Sequence, residues 1–164
     1  MNPWLGRMQR ADERAFVRIR EKRTDALDLA MPRLSSAADH SLLWLTLAAG
    51  LGEFGGQRGR RAALRGVIAI GGASAISSGV LKRLLHRRRP PIESLGFVGL
   101  RRRPTSSSMP SGHAASAAAF ATAAAIELPI LAVPLGALAA AVAYSRVYNG
   151  VHYPADVVLG AAIG

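Results

Sequence analysis

Residues 111–128 read SGHAASAAAFATAAAIEL, eighteen positions in which His113 and Glu127 are the only ionisable groups. Alanine is the strongest helix former and has no side-chain entropy to lose, so the stretch predicts a helix. A helix that is apolar on every side has no face to turn to water and belongs in a core or in lipid. Small side chains favour lipid, where close backbone approach is what holds one helix to the next.

Four more apolar runs surround it: 37–54 (AADHSLLWLTLAAGLGEF), 66–81, about 130–146 and 151–164. Asp39, His40 and Glu53 sit near the ends of the first, and Pro129 and Pro134 mark the turn before the run at 130. At 14 to 18 residues each, the runs fall short of the roughly 20 that cross a hydrocarbon core of ~30 Å. Five in succession with so little polar face nevertheless leave too little polar surface for a bundle in water. The expected fold is all-α, a transmembrane bundle of about five spans over residues 37–164. The last run has no closing polar flank at Gly164 and looks like a helix cut before its end, as in a piece of a longer protein.

Residues 1–36 are of mixed charge from Arg7 to Arg33, with Phe16, Val17, Ile19, Leu27, Leu29 and Met31 at roughly helical spacing. This pattern predicts an N-terminal amphipathic helix or arm lying in the membrane interface. It lacks the uninterrupted apolar region and small-residue cleavage site of a secretory signal.

The 164 residues carry 21 Lys and Arg against 10 Asp and Glu, a net charge of +11, with 50% apolar residues and no cysteine. Such a charge needs an anionic partner, either nucleic acid or a lipid surface. The arginines come in bursts between apolar runs rather than across a polar face, and 5% aromatics give little to stack on bases. The bilayer is the expected partner and nucleic acid is not. Without cysteine there is no disulfide, thiolate nucleophile, iron–sulfur cluster or cysteine zinc site. The four histidines and ten acids show no metal-ligand spacing, so neither metal nor cofactor is expected.

Three islands at the ends of the apolar runs hold groups that are expensive to keep there. In LKRLLHRRRPP, 81–91, Lys82 ends the second run, and paired prolines force the chain out of helix at Arg89. Two cations converging in this way suit a phosphate, the guanidinium bidentately and the ammonium as a point charge. Arg83, Arg87, Arg88 and Arg101 to Arg103 read as membrane-flanking positive charge. In MPSGH, 109–113, a proline and a small hydroxyl residue open a helix whose free N–H groups attract an anion, and Gly112 lets a ligand approach the backbone. A bare cap would explain Pro110 and Ser111, but not His113. In SRVYNGVHYPAD, 145–156, Gly150 breaks the helix, so Arg146 and His152 lie on consecutive elements and can face one point. Asp156 follows His152 by four residues, which on a helical turn brings a carboxylate to Nδ1–H and leaves Nε2 electron-rich.

Lys-x6-Arg-Pro, then Pro-Ser-Gly-His, then Ser-Arg-x5-His-x3-Asp, in that order at helix ends, resembles the signature of the type 2 phosphatidic acid phosphatase family. All three motifs are intact, and the resemblance covers the chain from about residue 37. It implies a membrane lipid phosphatase with the helical core that this family shares with vanadate-dependent haloperoxidases. By the resemblance His152 attacks phosphorus and becomes phosphohistidine, Asp156 orients it, and His113 protonates the leaving alkoxide and then deprotonates water. Lys82, Arg89, Ser111, Gly112 and Arg146 would hold the phosphate oxygens. No metal is needed once three cations and a helix N-terminus counter the charge, and orthovanadate is expected to inhibit as a phosphate mimic.

One departure concerns position. In this family the first motif follows the third span, whereas here it follows the second, so the amphipathic stretch stands where a first span is missing. The chain is also similar to the phosphatase-like domain that some actinobacterial proteins carry ahead of a lipid kinase, and to short phosphatases of polyprenyl-phosphoribose metabolism. The expected substrate is a phosphorylated lipid, either a polyprenyl-linked phosphate or pyrophosphate or a glycerolipid phosphate such as phosphatidate or phosphatidylglycerophosphate. Two other classes compete. Haloperoxidase-like oxidoreductases share the motifs but are large and soluble, and a non-enzymatic basic membrane binder would not need every reactive position filled. An integral protein of a bacterial plasma membrane follows. Seventeen Lys and Arg lie on the motif side against four on the other, so the positive-inside rule places the site on the cytoplasmic face.

Overall fold

Every regular element among the residues that the computed structural model describes, 3–91 and 105–164, is helical. Helix α1 runs Pro3–Glu21 and α2 Asp25–Ala37. Thr24 separates them, accepting from the Leu27 N–H at 3.3 Å as a side-chain cap. The mixed-charge N-terminus is therefore two helices rather than one. A tight turn, Asp39–Ser41, leads into α3, Leu42–Phe54. Gly56, in the left-handed region at φ 59°, turns the chain into α4, Gly56–Leu84. Then come α5, Gly112–Glu127, α6, Ala132–Tyr148, and α7, Pro154–Ile163. Arg101 to Arg103 lie outside the described residues.

Helix α5 is the central post, with Ala114, Ala115, Ala117, Ala119, Phe120, Ala121 and Ala124 all buried. It packs on α4, α6 and α7, while α3 packs on α4. The alanines make that closeness possible, and glycines take it further. A Cβ on Gly66 would lie 2.6 Å from the Phe120 ring, and one on Gly160 only 2.3 Å from the Ser111 carbonyl oxygen. Gly160 thus lets α7 lie directly against the start of α5, where the second and third motifs meet.

Two helices are long and apolar enough to cross a membrane among the described residues, Gly56–Leu84 and Pro129–Tyr148, the latter including the short turn before α6. Only 22% and 28% of their apolar windows are buried. Phe54, Ile68, Ile130, Val133 and Val158 point outward and are 64–89% exposed. An apolar exterior of this kind suits lipid.

Helix α4 differs from expectation at both ends. It begins ten residues before 66 and takes in Arg58, Arg60, Arg61 and Arg65, which lie between the apolar runs 37–54 and 66–81. Arginine is a good helix former, and Arg61 and Arg65 each reach Glu127 at the end of α5 at 3.0 Å. The helix also stops at Leu84, short of Arg89. Leu85 turns away and its carbonyl accepts the hydroxyl of Ser107. Before that end the helix widens to π geometry over Ala75–Leu81, a distortion common at functional sites.

Candidate active site

The three motif islands meet at one end of the bundle. The Ser111 N–H donates to the Asp156 carbonyl at 2.9 Å, joining the start of α5 to the first turn of α7. The π turn of α4 lies against the same point: a Cβ on Gly112 would be 3.2 Å from Ser78 Oγ and 3.9 Å from Ser77 Oγ. The residue just past that turn, Lys82, lies close enough to Arg89, His113 and Arg146 to feel their charge.

His152 is 2% exposed in the loop between α6 and α7. Arg89 Nη1 stands 3.3 Å from its Nε2 and also donates to the Val151 carbonyl at 2.7 Å. A guanidinium cannot accept, so the hydrogen bond assigns the lone pair to Nε2 and the proton to Nδ1. That Nδ1 faces Asp156 Oδ2 at 3.5 Å, too long for a made bond and short enough to close when a ligand binds. Burial pushes the imidazole down to about 4, aided by the charges of Arg89 and Arg146 and opposed by Asp156. His152 is therefore neutral at physiological pH with its lone pair available.

Asp156 is itself fully buried and held from two sides. Its Oδ2 accepts from the Tyr153 N–H at 2.9 Å, and its Oδ1 takes Arg87 Nη1 at 2.6 Å. Arg87 corrects the sequence reading. Its side chain is 22% exposed and turned inward, not a flanking charge facing lipid headgroups. Among the described residues no group of three or more histidines and acids is placed to hold a metal ion.

Across the site, Asp39 Oδ1 lies 2.8 Å from His113 Nε2 and 3.9 Å from Arg146 Nη1. One anionic oxygen already bridges these two groups, as a phosphate oxygen would. His40 and Ser41 beside it hold left-handed backbone at φ 52° and 61°, a sparsely populated state for residues with a Cβ. Arg146 is 2% exposed, and one Nη donates to the Ser35 hydroxyl. Its Nε has no hydrogen-bond partner among the described residues, nor has Ser77 Oγ or His152 Nδ1. Buried polar atoms left in this way call for a ligand or a closing movement. Ser111 is buried and its Oγ accepts from the Ala114 N–H at 3.5 Å as the cap of α5, a contact that does not use its proton. No local pattern marks Asp39, Ser35 or Arg87 as part of the site, beyond Asp39 being an acid at the end of an apolar run.

The profile of the PAP2 superfamily matches residues 62–164. The chain is 39% identical over 136 residues to the decaprenylphosphoryl-5-phosphoribose phosphatase of Mycobacterium tuberculosis, covering 80% of this chain and 71% of that one. It is 34% identical over 95 residues to the lipid A 1-phosphatase of Rhizobium etli, covering 56% of this chain and 41% of that one. Among solved structures, a transmembrane phosphatidylglycerolphosphate phosphatase of Bacillus subtilis superposes with a TM-score of 0.71 at 26% identity, over 95% of this chain and 80% of that one. LpxE of Aquifex aeolicus superposes with a TM-score of 0.73 at 28% identity, over 92% of this chain and 87% of that one. With the three motifs gathered at one end of such a bundle, the chain belongs to the PAP2 superfamily and is a phosphatase of that family.

Proposed function

We propose that the protein is a membrane-embedded, metal-independent lipid phosphatase that removes a terminal phosphate through a phosphohistidine at His152. The observation that carries this reading is the neutral, buried imidazole with its Nε2 lone pair facing Arg89 and its Nδ1 facing Asp156.

Lys82, Arg89 and Arg146, with the Ser111 hydroxyl and the Gly112 N–H, hold the nonbridging oxygens, where charge is spread in the transition state. His152 Nε2 bonds to phosphorus as the ester oxygen leaves, and His113 gives that oxygen its proton. Asp156 stabilises the imidazolium. His113 then takes a proton from water, the hydroxide displaces His152 from phosphorus, and inorganic phosphate departs. The substrate oxygen takes the place of Asp39 between His113 and Arg146, and the half-exposed Asp39 side chain swings toward solvent.

Helices α3 to α7 form five spans that bring a lipid to the site from the side. The substrate class is a polyprenyl-linked sugar phosphate, the chemistry named for the mycobacterial relative. An open cavity of about 960 Å³ beside the site, lined by Lys82, Arg83, His86, Arg88 and Arg89 among others, supports it. Such a substrate carries a phosphodiester that stays as well as a phosphomonoester that leaves, and the extra cations suit the former. A glycerolipid phosphate is the second reading, favoured by the likeness to the Bacillus subtilis enzyme. The excess of basic residues beside the motifs supports a site on the cytoplasmic face.

Phosphate release from prenyl phosphates, polyprenyl sugar phosphates, phosphatidate and phosphatidylglycerophosphate in mixed micelles tests the reading. Turnover without added metal and undiminished by EDTA is expected, highest on the polyprenyl sugar phosphate and blocked by orthovanadate. Loss in EDTA with recovery in magnesium would end the metal-free assignment. The preferred substrate, offered to sealed inverted vesicles and to intact cells, then reads the face: hydrolysis by the vesicles alone is expected.

A further inference from the structure

The face of α1 turned toward the bundle carries Asp12, Phe16 and Arg20, spaced four residues apart and buried to 8%, 4% and 6% exposure. All three meet the segment 148–156 that carries the nucleophile. Arg20 Nη1 donates to the Tyr148 carbonyl at 2.5 Å, and Phe16 meets Tyr153 edge-on with ring centroids 5.5 Å apart. Asp12 Oδ1 accepts the Ala155 N–H at 2.8 Å, while its Oδ2 takes Arg87 Nη2 at 2.5 Å. The other arm of Arg87 holds Asp156, and the guanidinium lies 4.4 Å over the Tyr153 ring. A continuous chain of charge thus runs from Asp12 on α1 through Arg87 to Asp156 and on to His152.

We propose that Asp12 and Arg87 are positioning residues of the active site: α1 is a strut whose Asp12–Arg87 pair fixes the Asp156 carboxylate behind His152 and sets how much negative charge it offers the imidazole. This rests on His152 being the nucleophile. An arginine alone against Asp156 would draw charge away from the carboxylate that must support the imidazolium. Asp12 on the opposite arm offsets that pull. A planar fork holds the two carboxylates on separate arms in fixed geometry, where a lysine offers a single rotatable point charge.

The charges that face His152 are Asp156 from α7, Arg89 from the connection after α4 and Arg146 from α6. Those that face Arg87 are Asp12 from α1 and Asp156 from α7. The acid limb of kcat/KM, expected near 4 in the parent where His152 gains its proton, reads the balance among them. Asp12→Asn leaves Arg87 pulling on Asp156 alone, so the limb moves to lower pH. Arg87→Gln removes the pull, so it moves to higher pH, each by about half a unit. Each change also lowers kcat about tenfold, the scale of partners that orient a working side chain, with KM within about twofold.

Arg87→Gln leaves two acids facing one another, so where that variant does not fold the charge-balanced pair Asp12→Asn/Arg87→Gln carries the test. Its limb is expected back near the parent position, and its loss in kcat smaller than the product of the single losses. Phe16→Ala, on the same face but outside the charge chain, is expected to lower thermal stability in detergent without moving the limb. A limb that stays in place in Asp12→Asn with only stability reduced, or one that the second change fails to bring back in the double variant, would make α1 mere packing and overturn the proposal. Full turnover by His152→Gln in the same assay would instead remove the nucleophile assignment beneath it, so the two failures are separable.

Discussion

Replacing His152 by alanine is expected to remove turnover by about 10⁴-fold or more, the scale of losing a covalent nucleophile. None of the groups around it substitutes. Arg89, at 3.3 Å, is a cation with no lone pair, and Asp156 lies on the far side of the ring, shielded by Arg87 and the Tyr153 N–H. His113 faces Asp39 and Arg146 across the site. Because the ring is buried, alanine leaves a cavity, so His152→Gln keeps the volume as a companion. Both variants are expected to extract in detergent with parental circular dichroism and no phosphate release above background. Release at a tenth of the parental rate or more from either folded variant would rule out His152 as the nucleophile.

Asp156→Asn is expected to slow kcat by about 10²- to 10⁴-fold while KM stays within a few-fold. The physical reason lies in the tautomer. The carboxylate can only accept, so it keeps the proton on Nδ1 and the lone pair on Nε2, facing Arg89. An amide nitrogen turned toward Nδ1 would donate, which moves the ring proton to Nε2 and blocks attack on phosphorus. Oδ1 can still accept from Arg87, and Arg87 keeps Asp12, so the fold is expected to survive. Steady-state kinetics on the purified variant provides the check. A change confined to KM would mean that Asp156 acts on substrate rather than on His152.

The readability of the molecule from its sequence divides along chemical lines. Lys82, Arg89, His113, Arg146, His152 and Asp156 stood out because reactive types recur at fixed spacing where apolar runs end, and there a charge needs a reason. The helical runs were equally plain, since alanine, leucine and isoleucine leave few alternatives to helix in lipid. The start of α4 was hidden because Arg58, Arg60, Arg61 and Arg65 interrupt the apolar pattern. Their partner, Glu127, lies at the end of another helix. Asp39 and Asp12 were hidden for a related reason. Asp39 meets a histidine 74 residues away, and Asp12 an arginine 75 residues away. No local pattern encodes such a contact. Arg87 was concealed by its neighbours, one arginine in a run of three, of which Arg88 stays exposed while Arg87 and Arg89 turn inward along different paths.

The arrangement rests on three separated stretches forming one cradle for a tetrahedral anion. A structure of the protein with orthovanadate addresses this directly. Vanadium is expected within bonding reach of His152 Nε2, its oxygens contacted by Lys82, Arg89, Arg146 and the Gly112 N–H, and one oxygen displacing Asp39 from His113. Vanadate bound elsewhere, or bound with His152 and the three cations facing separate cavities, would contradict the single cradle and the phosphohistidine chemistry built on it.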